Sequence, residues 1–218
     1  MPSSSGDRNR ESPRTGDTSG PRPDRSAAFE ALCARVEACY RCGRMDWVHV
    51  LGAASGPLSA RVLIVGEAPG RLGAARTGVP FSGDASGRRF QRLLEAAGLR
   101  REDVFVTNAV LCTPLDGGRN RRPTSTELSR CSGFLAEQIR LVEPALVVAL
   151  GDVALGALRR VAPHHLSLRR DVGEAYPWGP RLLMPLYHPS PRAAVHRPLA
   201  RQENDWLRLG RLVRRETR

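Results

Sequence analysis

Four short apolar runs constrain the fold of this 218-residue chain most strongly, because each is followed by a loop and then by a helical pattern. The runs cover residues 61–65, 104–110, 145–150 and 181–186 and have the composition of buried strands. Strands that alternate with helices pair in parallel and are covered on both faces. The sequence therefore predicts an α/β fold, a three-layer α/β/α domain with a central, mostly parallel four-stranded sheet.

The helices between these strands have identifiable starts. Ser26 is predicted to cap a helix over residues 27–39, and Thr124 or Ser125 to cap one over residues 126–142. Apolar spacing predicts further helices over residues 86–97, after Gly151 and, with a basic polar face, over residues 199–214. Residues 113–123, rich in Arg, Asn, Gly and Pro, are predicted to form a loop.

The first 26 residues contain no aliphatic side chain after Met1 until Ala27, so they cannot contribute to a core. We expect residues 1–26 to be a disordered basic tail and residues 27–218 to be a single domain. No apolar run is long enough to span a membrane, and the amino-terminal segment has no signal core. These features predict a cytoplasmic protein with no membrane partner, which we expect to be a monomer.

The charge indicates the type of partner. The net charge is +12, and all 34 basic residues are arginine. Basic surfaces gain affinity for nucleic acid by releasing the counterions that are condensed on phosphates. The absence of lysine excludes a lysine-containing phosphate loop and a Schiff base on a lysine side chain. DNA or RNA is therefore the predicted partner.

Five cysteines, in a chain expected to lie in a reducing compartment, are predicted to be unpaired. Cys39 and Cys42 form a CxxC pair, whereas Cys112 ends the second strand and Cys131 lies in the following helix. Four thiolates suit either zinc or an iron–sulfur cluster, and spacing does not separate the two. Scattered buried cysteines and a redox dithiol are the alternatives. Cys33 is expected in a helix core.

Polar side chains follow the predicted strands at the edge where parallel sheets bind ligands. Glu67 stands in the loop GEAPG, Asn108 ends the second strand, and His188 precedes Pro189 in YHPSP. Taken singly, each has a structural alternative: an exposed turn carboxylate, a hydrogen-bonded core amide and a structural histidine. A buried amide needs partners, so Asn108 is either a structural bridge or a group that binds a polar ligand edge.

Six segments in order carry a family resemblance: GEAPG, RTGVPFSGDASG, VTNAVLC, RCSGFLAEQI, ALGDVAL and YHPSPRAAVHRP. Together they resemble the uracil-DNA glycosylase superfamily, and most closely its iron–sulfur members, families four and five. The resemblance extends from about residue 34 to about residue 207. It implies hydrolysis of the N-glycosidic bond of uracil in DNA to leave an abasic site, as a step of base excision repair.

The resemblance also implies roles for particular residues. Phe81 would be the platform under the uracil ring, Asn108 would bind its Watson–Crick edge, and His188 would donate a hydrogen bond to uracil O2. Glu67 would orient or deprotonate the attacking water. The neighbouring residues that would complete the substrate site are Gly66 and Ala68.

For the rest of the site, the resemblance implies a [4Fe–4S] cluster with a structural role, held by Cys39, Cys42, Cys112 and Cys131. It also implies that residues 189–197 enter the DNA minor groove beside the flipped base. The DNA contacts would come from Pro189, Ser190, Arg192 and Arg197, with the two arginines on flanking phosphates.

The sequence departs from both families, which leaves open the role of Asp84 and the range of bases that are removed. GEAPG is the family-four form, whereas RTGVPFSGDASG is closer to family five, so Asp84 is either a second catalytic carboxylate or a helix cap. Uracil is the expected base, with hypoxanthine and other deaminated bases as further candidates. The absence of lysine predicts a monofunctional enzyme without a lyase step. Two alternatives are a catalytically weak protein that binds DNA lesions and a protein that traps abasic sites through a histidine. His164 and His196 stand near arginines, but the arginine- and lysine-rich insertion that the trapping alternative requires is not evident.

Overall fold

The structure, a computed structural model, describes residues 24–216. The strands are β1 (Val62–Gly66), β2 (Val104–Asn108), β3 (Leu115–Asp116), β4 (Arg119–Asn120), β5 (Leu146–Leu150), β6 (Tyr176–Trp178) and β7 (Arg181–Leu186). The central sheet has five strands in the order β2-β1-β5-β7-β6. A separate two-stranded hairpin contains β3 and β4. The prediction of a mostly parallel sheet is confirmed, because β2, β1, β5 and β7 run parallel.

The fifth strand corrects the predicted count of four. β6 is only three residues long, contains Pro177, and pairs antiparallel with β7 at the sheet edge. Proline lacks an N–H donor and is tolerated at an edge, but it argues against a strand when the sequence is considered alone. This short triplet therefore carried no strand signal.

Seven α-helices are present within residues 24–216: α1 (Arg25–Glu37), α2 (Ala74–Thr77), α3 (Ala85–Ala96), α4 (Ser125–Val142), α5 (Asp152–Val161), α6 (Leu168–Asp171) and α7 (Leu199–Glu216). The predicted cap Ser26 is wrong, because Asp24 caps α1 and its side chain accepts a hydrogen bond from the Ser26 N–H at 2.9 Å. Of the two predicted caps of α4, Thr124 is the cap and forms a capping box with Glu127, whereas Ser125 is the first helical residue. None of the helices in this part of the chain combines the length and apolarity of a membrane span.

Two apolar cores lie on opposite faces of the sheet, which gives the predicted three layers. Alternate residues of each strand face opposite ways, so Leu63 and Val65 pack with α1, α4 and α5. Val62 and Ile64 pack with α3 and α7 on the other face. Burial of every residue in β1, β2 and β5 accounts for their near-continuous apolar sequences. The predicted tail, except for its last three residues, lies outside the described part of the chain.

The carboxyl ends of the four parallel strands meet at one edge of the sheet, above which the predicted polar residues gather. The segment 113–123 differs from the predicted loop, because it contains the β3–β4 hairpin. Gly117 and Gly118 at its tip have φ of 53° and 71°, the positive values that a tight two-residue hairpin turn requires. This hairpin forms one wall of the space above the sheet edge.

Candidate active site

A cavity of about 760 Å³ opens at the carboxyl edge of the sheet. It brings together most of the predicted site residues, from loops that are far apart in sequence. Those lining it are Glu67, Ala68, Phe81, Asp84, Asn108, His188, Ser190 and Arg192. Ligand sites in parallel sheets are expected at this edge, and convergent polar groups in a concave pocket mark such a site.

Gly66 allows two site residues to approach the end of β1. It pairs in register with Asn108 on the neighbouring strand. A Cβ atom at Gly66 would lie 2.4 Å from Asn108 Oδ1 and 2.7 Å from two ring carbons of Phe81. The side chain of Asn108 is almost fully buried and has no hydrogen-bond partner within residues 24–216. An unpaired amide facing a cavity is available to a polar ligand.

Phe81 is held by its backbone and by ring stacking. Its φ of 52° is unusual for a non-glycine residue, and Gly87 leaves room for it, since a Cβ there would lie 2.7 Å from the Phe81 carbonyl oxygen. The ring stacks on Phe90 with centroids 4.7 Å apart and planes 22° apart. The His188 ring lies 5.5 Å from it, centroid to centroid. A fixed aromatic platform therefore lies beside the histidine.

His188 is neutral at physiological pH. Burial lowers its pKa to about 4, and the nearby Asp84 carboxylate only partly opposes this shift. A neutral imidazole retains one N–H donor. The loop that follows is fixed by Ser190, whose hydroxyl accepts from the Ala193 N–H at 3.3 Å and whose carbonyl accepts from Arg89 Nη1 at 3.1 Å.

Glu67 lies directly after β1 and is half-buried. Burial raises its pKa, and the Asp152 carboxylate raises it further, while the Arg122 guanidinium lowers it. Hydrogen bonds from the Val110 N–H to the Glu67 carbonyl (3.2 Å) and from the Ala109 N–H to the Gly66 carbonyl (2.8 Å) tie this turn to the end of β2. The backbone that carries the carboxylate is therefore tied to the neighbouring strand at the wall of the cavity.

Asp84 is the cap of α3, as one of the two readings predicts. Its Oδ1 accepts a hydrogen bond from the Gly87 N–H at 2.8 Å. Its Oδ2 faces the turn of residues 70–73, called here the glycine-rich turn. A Cβ atom at Gly70 or Gly73 would lie 3.0 Å or 2.5 Å from this oxygen. The capping role is confirmed, and a catalytic role for the same carboxylate stays a prediction.

The two arginines of the predicted DNA-binding loop have different environments. Arg192 is exposed at the cavity rim. Arg197 forms a two-pronged ion pair with Asp205 of α7, with Nη2 2.6 Å from Oδ1, and Asp205 is only 2% exposed. Arg197 therefore anchors the loop to α7, and its contact with DNA stays a prediction. Pro189 is buried beside His188.

Sequence reasoning missed the polar groups that the hairpin contributes. Asn120 accepts a hydrogen bond from the Arg71 N–H at 3.1 Å, which ties the hairpin to the glycine-rich turn. Arg121 pairs with Glu127, with Nη2 2.6 Å from Oε1. Arg122 forms an ion pair with Asp152 at the start of α5. The only sequence signal was the cluster of Arg and Asn between two strands.

The four predicted cysteine ligands lie in three segments that hydrogen bonds hold together. Arg41, between the two CxxC cysteines, donates from Nη2 to the Arg130 carbonyl at 2.8 Å, beside Cys131. The Asp46 N–H donates to the Thr113 carbonyl at 3.0 Å, beside Cys112. The remaining members of the set are Cys39 and Cys42.

The four thiols also interact electrostatically. Burial raises the pKa of Cys112 to about 12, and the negative charges that Cys131, Cys42 and Cys39 can carry add to this rise. Within residues 24–216, however, no three His, Cys, Asp or Glu side chains are arranged to hold a single metal ion. The four thiols are close enough to affect the pKa of Cys112, but they are not arranged around one metal-ion position. Cys33 packs against the core from α1, as expected.

Neither histidine of the covalent-trapping alternative lines the cavity. His164 is buried, with Nε2 3.0 Å from the Leu155 carbonyl oxygen, and its other ring nitrogen accepts from the Leu166 N–H. His196 is exposed at the end of the turn that follows His188.

The fold is that of an α/β protein with a concave pocket at the carboxyl edge of its sheet, lined by polar side chains and the Phe81 ring. A family model described as the uracil DNA glycosylase superfamily matches residues 53–209. The chain belongs to this superfamily.

Individual relatives agree with this assignment. The chain is 36% identical over 168 residues to the type-4 uracil-DNA glycosylase of Thermotoga maritima, an alignment that covers 76% of this chain and 83% of the relative. It is 34% identical over 194 residues to the type-4 enzyme of Archaeoglobus fulgidus, covering 85% and 93%. It is 38% identical over 167 residues to the type-5 enzyme of Thermus thermophilus, covering 68% and 72%. Similarity to both types matches the mixed motifs in the sequence.

Proposed function

We propose that this protein is a monofunctional DNA glycosylase that hydrolyses the N-glycosidic bond of uracil in DNA and leaves an abasic site. The observation that carries the proposal is the convergence of Glu67, Phe81, Asn108 and His188 on one cavity. Chemistry on a base requires the nucleotide to leave the stack and enter such a pocket.

In this proposal the base is recognised by its face and its polar edge. The uracil ring lies against Phe81, whose position is fixed by stacking on Phe90. The unpaired amide of Asn108 supplies a donor for uracil O4 and an acceptor for N3–H. Cytosine presents the opposite pattern at both atoms and would leave buried polar groups unpaired, which costs a few kcal/mol.

Bond cleavage places negative charge on the departing uracil and positive charge on the sugar. His188, neutral at the working pH, donates its N–H to uracil O2 without a change of protonation state. Glu67 faces the developing oxocarbenium ion and orients or deprotonates the attacking water. A positioned base of this kind contributes roughly 10²–10⁴ to the rate.

Ala68, Gly66 and the glycine-rich turn shape the rest of the pocket, and Asp84 is a second candidate carboxylate. Arg192 at the rim is available for a flanking phosphate, while Pro189 and Ser190 place the loop beside the base. A chain without lysine lacks the usual side-chain amine for strand cleavage, so the abasic site is the expected end product.

We further propose that Cys39, Cys42, Cys112 and Cys131 hold a [4Fe–4S] cluster. Such a cluster bonds one thiolate to each iron, so its four ligands stand further apart than ligands around one ion. This requirement is compatible with four coupled thiols that form no mononuclear site. When bound, the cluster would join the segment after α1, the segment after β2 and the start of α4.

The proposal is tested with oligonucleotides that contain one uracil, single-stranded, opposite guanine and opposite adenine. We expect free uracil and a strand that breaks only after alkali treatment. Hypoxanthine and xanthine substrates define the range. Strand breaks without alkali would refute monofunctional action, and tight lesion binding without any base release would favour the catalytically weak alternative.

The cluster is tested separately on protein prepared without oxygen. We expect about four iron atoms and four sulfides per chain, with a brown absorbance that Cys42→Ser abolishes and Cys33→Ser leaves unchanged. Iron-free preparations under these conditions, or equal loss in both variants, would refute the assignment.

A further inference from the structure

An exposed ion pair between Arg122 and Asp152 lies close enough to the candidate catalytic carboxylate to act on its charge. Arg122 follows the β3–β4 hairpin and lines the cavity together with Glu67, whereas Asp152 begins α5 shortly after β5. Glu67 is the first residue after β1, and β1 pairs in parallel with β5, so Glu67 and Asp152 follow neighbouring strand ends.

We propose that Arg122 and Asp152 are positioning residues with opposite effects on the Glu67 carboxylate of the cavity: Arg122 favours its ionised form, and Asp152, which pairs with Arg122, opposes it. The inference rests on the proposed function, because it concerns the carboxylate assigned to that reaction. Arg122 supplies the positive charge that favours ionisation of a half-buried carboxylate. Asp152 weakens the effect of that charge on Glu67, because it pairs with Arg122.

The electrostatics of Glu67 agree with this placement. The Arg122 guanidinium lowers the pKa of Glu67 against the effect of burial, and the Asp152 carboxylate raises it. Glu67 in turn raises the pKa of Arg122. The other titratable groups lining the cavity are Asp84, His188, Arg71, Arg119, Arg121 (paired with Glu127) and Arg192.

The two members of the pair therefore have opposite predicted effects on pH dependence. In Arg122→Gln the compensating positive charge is lost and Asp152 is left unpaired, so the acid limb of uracil release moves to higher pH. In Asp152→Asn a negative charge is lost and Arg122 is freed, so the limb moves to lower pH. At a pH on the limb, activity should change about three- to tenfold, in opposite directions.

A merely structural ion pair would behave differently, because its loss would affect both variants in the same direction. A phosphate contact by Arg122 would raise KM and reduce the salt dependence of binding without moving the acid limb. The matched control is Arg208→Gln, which breaks an exposed ion pair with Glu174 away from the cavity. It should leave the pH profile unchanged.

The test combines the pH profile of kcat/KM with direct carbon-13 NMR titration of the Glu67 carboxyl, assigned from the signal missing in Glu67→Gln. We expect the NMR midpoint to rise in Arg122→Gln and to fall in Asp152→Asn. If wild-type protein releases uracil but neither variant moves the midpoint, the positioning role is refuted and the proposed function stands. If wild-type protein releases no uracil, the proposed function fails, and the NMR midpoints still decide the electrostatic coupling.

Discussion

Substituting Gly66 by alanine should damage the site severely and lower the stability of the fold moderately. The added Cβ would lie 2.4 Å from Asn108 Oδ1 and 2.7 Å from the Phe81 ring, whereas ordinary contacts begin at 3.4 Å. Both side chains must therefore shift by about 1 Å or the end of β1 must move. A displacement of this size in a catalytic site costs about 10² in rate, or about 2.7 kcal/mol of transition-state stabilisation.

The assay is single-turnover release of uracil from a single-stranded oligonucleotide, together with thermal unfolding. We expect kcat/KM to fall about 100-fold, and the free energy of unfolding to fall by about 1–3 kcal/mol from overpacking. Gly133→Ala is the control, since a Cβ there meets no atom within 4 Å. Gly66→Ala activity within threefold of wild type would refute the argument that close approach of Asn108 and Phe81 to β1 creates the base pocket.

Three further predictions concern neighbouring residues. The folded-state pKa of His188 lies at about 4, below the unfolded value, so the free energy of unfolding should fall by on the order of 3 kcal/mol between about pH 6.5 and pH 4. Urea unfolding at a series of pH values measures this fall, which His188→Gln should lack. Arg197→Met leaves the buried Asp205 charge uncompensated and should cost about 3–5 kcal/mol in urea unfolding, part of which Asp205→Asn restores in the double variant; an unchanged midpoint would contradict the anchoring role. Asp84→Ala should cost about 1 kcal/mol of stability, whereas Asp84→Ser, which retains a cap, should not. Activity that is kept by Asp84→Ser alone would show that Asp84 acts as a cap, and activity that is lost in both variants would show that it is catalytic.

The sequence predicted the parts of the fold that depend on local pattern. Four buried strands were recognisable because they are apolar on both faces. The start of α4 was recognisable from the adjacent Thr124 and Ser125, and the capping box with Glu127 shows that Thr124 is the cap. Asp24 and Ser26 are both good caps, and local pattern could not choose between them. β6 was missed because a three-residue edge strand with a proline has no periodicity.

The candidate site could likewise be predicted only in part from the sequence. Glu67, Asn108 and His188 were predictable because they follow strands whose ends must share one edge. The partners of the arginines were not predictable, since they depend on how distant segments pack. Arg197 meets Asp205 only because α7 folds back against the loop, and Arg122 meets Asp152 only because the segment after the hairpin lies against the start of α5. The family resemblance predicted a phosphate contact for Arg197, and nothing in the sequence indicated its pairing with Asp205.

The most direct test of the account is the rate of free uracil release by iron-loaded wild-type protein compared with Glu67→Gln, Asn108→Ala and His188→Gln. All three side chains line one cavity, so each variant should keep its fold and its iron and lose at least about 100-fold in rate. A folded, iron-loaded wild-type protein that releases no uracil would contradict the account. So would variants that release uracil at the wild-type rate.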